Sequence, residues 1–146
     1  MDSGIFFDAS PGNDQSFNKF PWDLMLYIMP QGGIRPLSYM EQWYSGPNRE
    51  NVAQESNGWS GSNNIRWIND EYDELWRAAR GETDPDALTD LFVQMSDMVM
   101  HNHVIVPIVV VGGGSLGSNR LRLKNLITGS FSGAYANIAN WNLAED

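Results

Sequence analysis

The sequence predicts an α/β fold, and three stretches carry the prediction. Residues 84–103 read as a long helix that feeds directly into residues 104–111, an apolar run rich in Val and Ile. Residues 70–80 read as a second helix, and residues 22–29 (Trp-Asp-Leu-Met-Leu-Tyr-Ile-Met) as a mostly buried strand. Strand material alternating with amphipathic helices is the pattern of a sheet covered by helices.

Composition narrows the range of functions. At 146 residues the chain is long enough to bury a core and fits a single domain by default. Nine Lys+Arg stand against 18 Asp+Glu, a formal charge of −9, which argues against nucleic acid or an anionic membrane surface as partner. No cysteine is present, so disulfides and thiolate metal sites are excluded. The run at 104–111 is far too short to cross a bilayer, and the opening Met-Asp-Ser-Gly-Ile-Phe-Phe has neither a basic n-region nor a long h-region. There is no internal repeat and no low-complexity tract.

Taken in order, residues 4–8 are apolar enough for a short strand, closed by the turn formers Ser10, Pro11, Gly12 and Asn13. Residues 13–20 are ambiguous, with room for one helical turn presenting Phe17 and Phe20. The strand at 22–29 is broken by Pro30, Gly32, Gly33 and Pro36. Residues 37–45 form a short helix carrying Met40, Trp43 and Tyr44, ended by Gly46 and Pro47. Residues 48–64, rich in Asn, Ser and Gly, are either disordered or a surface loop held by Trp59.

The next helix buries Tyr72, Leu75, Trp76 and Ala79 and stops at Gly81, while Asp70, Glu71, Asp73 and Glu74 make a solvated helix start. In the long helix, Asp84 is the N-cap and Pro85 fits the first turn, where its missing N–H is no loss. Leu88, Leu91, Phe92, Met95 and Val99 form its apolar stripe, and Asp86, Asp90, Gln94 and Asp97 its wet side. Residues 104–111 then read as a strand buried on both faces. Beyond it, Leu121 and Leu123 alternate with Arg120, Arg122 and Lys124 as a half-exposed strand.

Several motifs suggest more chemistry than they carry. Residues 112–117 spell G-x-G-x-x-G, but a period-two segment follows where a phosphate-binding helix is required, and no acid stands between Gly117 and Glu145. A flexible turn is the better description. His101 and His103 are two apart and so do not share a helix face; His101 is a cation near a helix C-terminus with Asp97 four residues earlier. Trp59, Trp67 and Arg66 offer either stacking surfaces for a sugar or base, or packing anchors beside a loop. No catalytic set emerges from spacing, and no cofactor is implied.

The runs Phe6-Phe7-Asp8-Ala9-Ser10-Pro11-Gly12-Asn13 and Phe20-Pro21-Trp22-Asp23-Leu24, then Asn57-Gly58-Trp59-Ser60-Gly61, form part of a longer pattern. It is densest in Arg66-Trp67-Ile68-Asn69-Asp70-Glu71-Tyr72-Asp73, followed by Asp84-Pro85 and the Ile105-Val106-Pro107 strand. In that order these motifs resemble the C-terminal segment of family 5 extracellular solute-binding proteins, the peptide, oligopeptide and nickel-type receptors of ABC importers. The resemblance implies the C-terminal part of a type II periplasmic-binding-protein fold, with residues 1–111 a second-lobe α/β segment and 112–146 a return segment toward the first lobe.

It further implies a non-catalytic receptor that captures a peptide or another small polar solute outside the cytoplasmic membrane and hands it to an ABC permease. No nucleic acid, metal or direct membrane insertion enters that picture, and the full-length parent is expected to be periplasmic or extracytoplasmic. The implied ligand-binding residues are Met29, Gln31, Gly32, Gly33 and Arg35. Peptide-binding relatives carry a pattern like Asp-x-x-Asp-Pro there, whose first acid is associated with the peptide ammonium; this chain has Gly32 and Arg35 before Pro36. A guanidinium repels an ammonium and attracts an anion, so Arg35 either favours an anionic solute or points to solvent. The alternative from another class is a ligand-sensing module of a DNA-binding regulator built on the same fold, with a small enzyme third.

Overall fold

The helices follow from their ends and stripes. In this computed structural model, which describes residues 1–29, 36–109, 123–124, 138–140 and 142–143, the chain divides into two compact units, Met1–Val106 and Pro107–Asp146. Within the first, α1 is Ser3–Phe6, α2 is Leu37–Met40, α3 is Asp70–Gly81 and α4 is Pro85–His101.

Each long helix is closed by chemistry visible in its sequence. The Asn69 side chain accepts the Tyr72 N–H at 3.0 Å as N-cap of α3, and Asp70, Glu71 and Asp73 place negative charge in its first turn. Asp84 Oδ1 accepts the Asp86 and Ala87 N–H groups at 3.0 and 2.9 Å, with Pro85 opening α4. At the far end, the Val104 N–H reaches the Val99 carbonyl and the His103 N–H the Met100 carbonyl, both at 3.1 Å. That is a Schellman arrangement, with His103 at φ 53° in the left-handed position usually given to glycine.

The core lies where α2 and its following 3₁₀ turn, Glu41–Trp43, meet α3 and α4. Met40, Trp43, Tyr44, Tyr72, Trp76, Ala79, Met95 and Val99 are its buried members. Tyr44 stacks on Trp76 with ring centroids 4.0 Å apart and planes at 14°. The Trp76 indole N–H donates to the Leu37 carbonyl at 3.3 Å, which ties the start of α2 to α3. Leu88, Leu91 and Phe92 pack against this cluster while remaining partly exposed, so the apolar stripe of α4 is deepest toward its C-terminal half.

Residues 44–68 form an ordered, packed loop. Three asparagine side chains do the bracing that a sheet ladder does elsewhere. Asn51 donates to the Glu41 and Tyr44 carbonyls at 2.9 and 2.7 Å and accepts the Ser62 N–H at 3.0 Å. Asn57 donates to the Val52 carbonyl at 2.8 Å and accepts the Gln54 N–H at 3.1 Å. Asn63 donates to the Trp67 carbonyl at 2.6 Å while its backbone pairs with the Val52 strip as a parallel bridge. Gly61 sits flush against this bridge, and a Cβ there would strike the Asn51 carbonyl. Trp59 is not the principal anchor: Val52 and Ala53 are the apolar residues the loop buries.

Three expected strands are absent. Residues 4–8 start inside α1, because Asp2 caps Gly4 N–H at 2.7 Å and turns the chain at once. Residues 22–29 are extended but unpaired, with Leu24, Leu26 and Ile28 exposed by 88, 80 and 69% while Met25 and Tyr27 turn partly inward. After α4, Val104 and Ile105 pack on the core, but Val106, Ile108 and Val109 are 77, 72 and 77% exposed rather than buried on both faces. The alternation and the apolar run are real; what is missing is a neighbouring backbone among the described residues to accept a ladder.

In the second unit, β1 (Leu123–Lys124) pairs antiparallel with β2 (Asn142–Leu143), Leu123 opposite Leu143. This is the only two-stranded ladder among the described residues. Residues 112–117 and Arg120 to Arg122 lie outside them.

Candidate functional site

The first unit holds a cleft of about 380 Å³ at the end of the extended segment 22–29. Its first wall is built by α1 and the turns after it. Phe17 N–H donates to the Phe6 carbonyl at 2.9 Å, and the Asn13 amide clamps the Ile5 and Asp8 carbonyls at 2.6 and 2.8 Å. These bonds gather the rings: Phe7 and Phe17 lie 5.6 Å apart at 61°, Phe17 and Tyr27 6.0 Å apart at 59°. Trp22 stacks behind on Phe6 at 5.7 Å and 19°. Phe7, Phe17 and Tyr27, continued by Ile28 and Met29, face the cleft.

The opposite wall comes from α2 and the braced loop: Ser38, Tyr39, Gln42, Ser62 and Asn64. Tyr39 is held edge-on against the buried Trp43, centroids 5.3 Å apart at 83°. Gln42 donates to the Tyr39 carbonyl at 2.9 Å, which fixes its side chain and leaves its amide oxygen as an acceptor. Asn64 is buried, and Arg66 reaches its carbonyl at 3.0 Å and the Lys19 carbonyl with its other amino group. Arg66 therefore ties the loop to the N-terminal turns. Its guanidinium lies 5.3 Å from the Trp59 ring, and Trp67 packs edge-on against Tyr72 at 5.2 Å, so Trp59, Arg66 and Trp67 are packing anchors.

Burial pushes the Tyr27 phenol above its ordinary pKa, with the Asn64 amide acting the other way and the Tyr39 phenol adding to the rise. It is thus a neutral donor at any physiological pH. No charged side chain lines the cleft among the described residues. A second cavity, about 580 Å³, lies beside it under Trp22, Leu24, Leu26 and Met1 and is almost wholly apolar.

Of the five ligand-binding residues inferred from the sequence, Met29 lines the cleft; Gln31, Gly32, Gly33 and Arg35 lie outside the described residues. Tyr27, Tyr39, Gln42 and Asn64 were missed. Tyr39 and Tyr27 left a signal, as aromatics flanking a Pro/Gly break, but Gln42 and Asn64 reach the cleft only through tertiary packing. Among the described residues no three His, Asp or Glu side chains gather as a metal site, and no helix is long and apolar enough to cross a membrane. His101 accepts or donates at the Asp97 carbonyl, 2.7 Å away, rather than at its carboxylate.

Asp73 departs from the expected solvated helix start. It is 6% exposed, and its carboxylate accepts the Ser45 backbone N–H at 2.8 Å. Burial raises its pKa, and the Ser45 N–H opposes the rise. It serves the fold, holding the end of the α2 region to α3.

Comparison with protein families, with curated proteins and with solved structures finds no match to this chain.

Proposed function

We propose that this chain is a second-lobe portion of a solute-binding receptor for an ABC importer, non-catalytic, built on a type II periplasmic-binding-protein α/β plan. In the full-length parent it captures a small polar solute, a peptide or an anionic small molecule, outside the cytoplasmic membrane and presents it to the permease. One observation carries the reading furthest: two apolar segments, around Leu24 to Ile28 and Val106 to Val109, are extended, exposed and without ladder partners. An exposed run of that kind suits strands whose sheet neighbours belong to another part of a larger protein. The cleft beyond the carboxyl end of the first segment agrees with where open α/β sheets gather their ligands. Met29, Gln31, Gly32, Gly33 and Arg35 form the proposed ligand loop, and Arg35 supplies a planar fork for a carboxylate or phosphate.

A single lobe offers half of the contacts and no closure over the ligand. Calorimetry of the chain against di- to pentapeptides, opines and sugars is therefore expected to show nothing tighter than roughly millimolar, about −4 kcal/mol. Micromolar binding by the lone chain contradicts the half-site reading.

A further inference from the structure

The cleft's chemistry bears on which solute it takes. Three rings, Phe7, Phe17 and Tyr27, present a broad apolar wall in angled succession. Facing them are hydroxyls and amides: Tyr39, Gln42, Ser62 and Asn64. The described lining has no cation for a peptide's carboxylate and no anion for its ammonium. An ion entering it would shed water without gaining a counter-charge, which is costly. A neutral ring with one C–H face and a rim of hydroxyls meets both walls at once: the face lies on the aromatics, and the hydroxyls exchange hydrogen bonds with the amides. The volume, about 380 Å³, is at the small-ligand end of the range for such sites.

We propose that the cleft between Phe17 and Tyr27 on one side and Tyr39 and Gln42 on the other binds a neutral pyranose sugar. The proposal rests on the solute-receptor reading and narrows its ligand class. Phe17 and Tyr27 form the stacking platform. The Tyr27 phenol, kept protonated by burial, donates. The Gln42 amide, oriented by its bond to the Tyr39 carbonyl, accepts. Tyr39 is held on edge by Trp43, so the platform and the polar rim are set before ligand arrives.

The test is amide chemical-shift mapping on the full chain with cellobiose, trialanine and glucuronate as separate probes. Cellobiose is expected to give saturable shifts at Phe17, Tyr27, Tyr39 and Gln42 in the millimolar range, with the other two probes weaker. Phe17→Leu, which keeps apolar volume without the ring, and Gln42→Ala, at a partly exposed position, are each expected to weaken cellobiose by about tenfold. Unchanged affinity in both folded variants overturns the proposal, because the sugar would then bind elsewhere. Stronger shifts at these positions with trialanine or glucuronate overturn the sugar class while leaving the solute-receptor reading standing. No shift with any probe overturns both the sugar and the cleft as a solute site.

Discussion

The Tyr72 hydroxyl donates to the Met40 carbonyl at 2.8 Å inside the core. The two residues lie 32 positions apart, one on α3 and the other closing α2. Tyr72 is fully buried, and burial drives its phenol far above the ordinary range, so this bond is a neutral pair in a dry place. It fixes α2, and with it Tyr39 and Gln42, against the helical core.

Tyr72→Phe leaves the Met40 carbonyl without that partner at almost no change in shape. The expected loss of stability is about 1–3 kcal/mol, the range for an orphaned buried polar group. Urea denaturation of the two chains measures it, and an unchanged midpoint shows that the carbonyl finds another donor.

Asp73 predicts a pH dependence of definite sign. Its native pKa is raised, chiefly by burial, so the folded state holds the proton more tightly than the unfolded chain. Its contribution therefore favours folding below the ordinary carboxylate range and is lost as pH rises through the raised native value. Asp73→Asn keeps an acceptor for the Ser45 N–H and removes that dependence, so stability from mildly acidic to neutral pH should fall less than in the parent chain. Asp73→Ala orphans the Ser45 N–H and is expected to cost about 1–3 kcal/mol at every pH. Thermal melts across pH separate the two variants; parallel pH profiles for Asp73→Asn and the parent contradict the assignment.

The depth of the α4 stripe sets an order. Met95 is completely buried, and Met95→Ala is expected to cost about 2–5 kcal/mol. Leu91 and Phe92 are only partly buried, so Leu91→Ala should cost less, roughly 1–2 kcal/mol. His101→Ala should cost about 1 kcal/mol or less, since His101 is exposed at the helix end. Equal losses at Met95 and Leu91 contradict the packing described.

His103 holds the left-handed position that closes α4. His103→Gly removes the strain of a side chain there and, after glycine's greater freedom in the unfolded chain is set against it, should raise stability by up to about 1 kcal/mol. His103→Val, β-branched, should lower it. The reverse order in calorimetric melts contradicts the Schellman closure.

The helices were legible because their signals are local. Asn69 and Asp84 cap where a polar residue precedes an apolar stripe, and Tyr72, Trp76, Met95 and Val99 recur at helical spacing. The strands were not, because alternation at Leu24, Leu26 and Ile28 specifies which side chains share a face and leaves open whether a neighbouring backbone is there to pair. The loop at 44–68 was open between disorder and packing since its order comes from Asn51, Asn57 and Asn63 bonding to carbonyls brought near by the fold. Asp73 was misplaced for a related reason: its burial depends on Ser45, 28 positions away. At the cleft, Met29 was within reach of motif reasoning, whereas Gln42 and Asn64 are joined to it only in three dimensions.

The central claim is that this chain belongs to a two-lobed solute receptor, and the coding sequence immediately upstream of the Met1 codon tests it most directly. The account predicts an in-frame continuation encoding a first lobe, headed by an export signal or a lipoprotein anchor. An in-frame basic helix-turn-helix in its place, making the chain a regulator's sensor module, contradicts it.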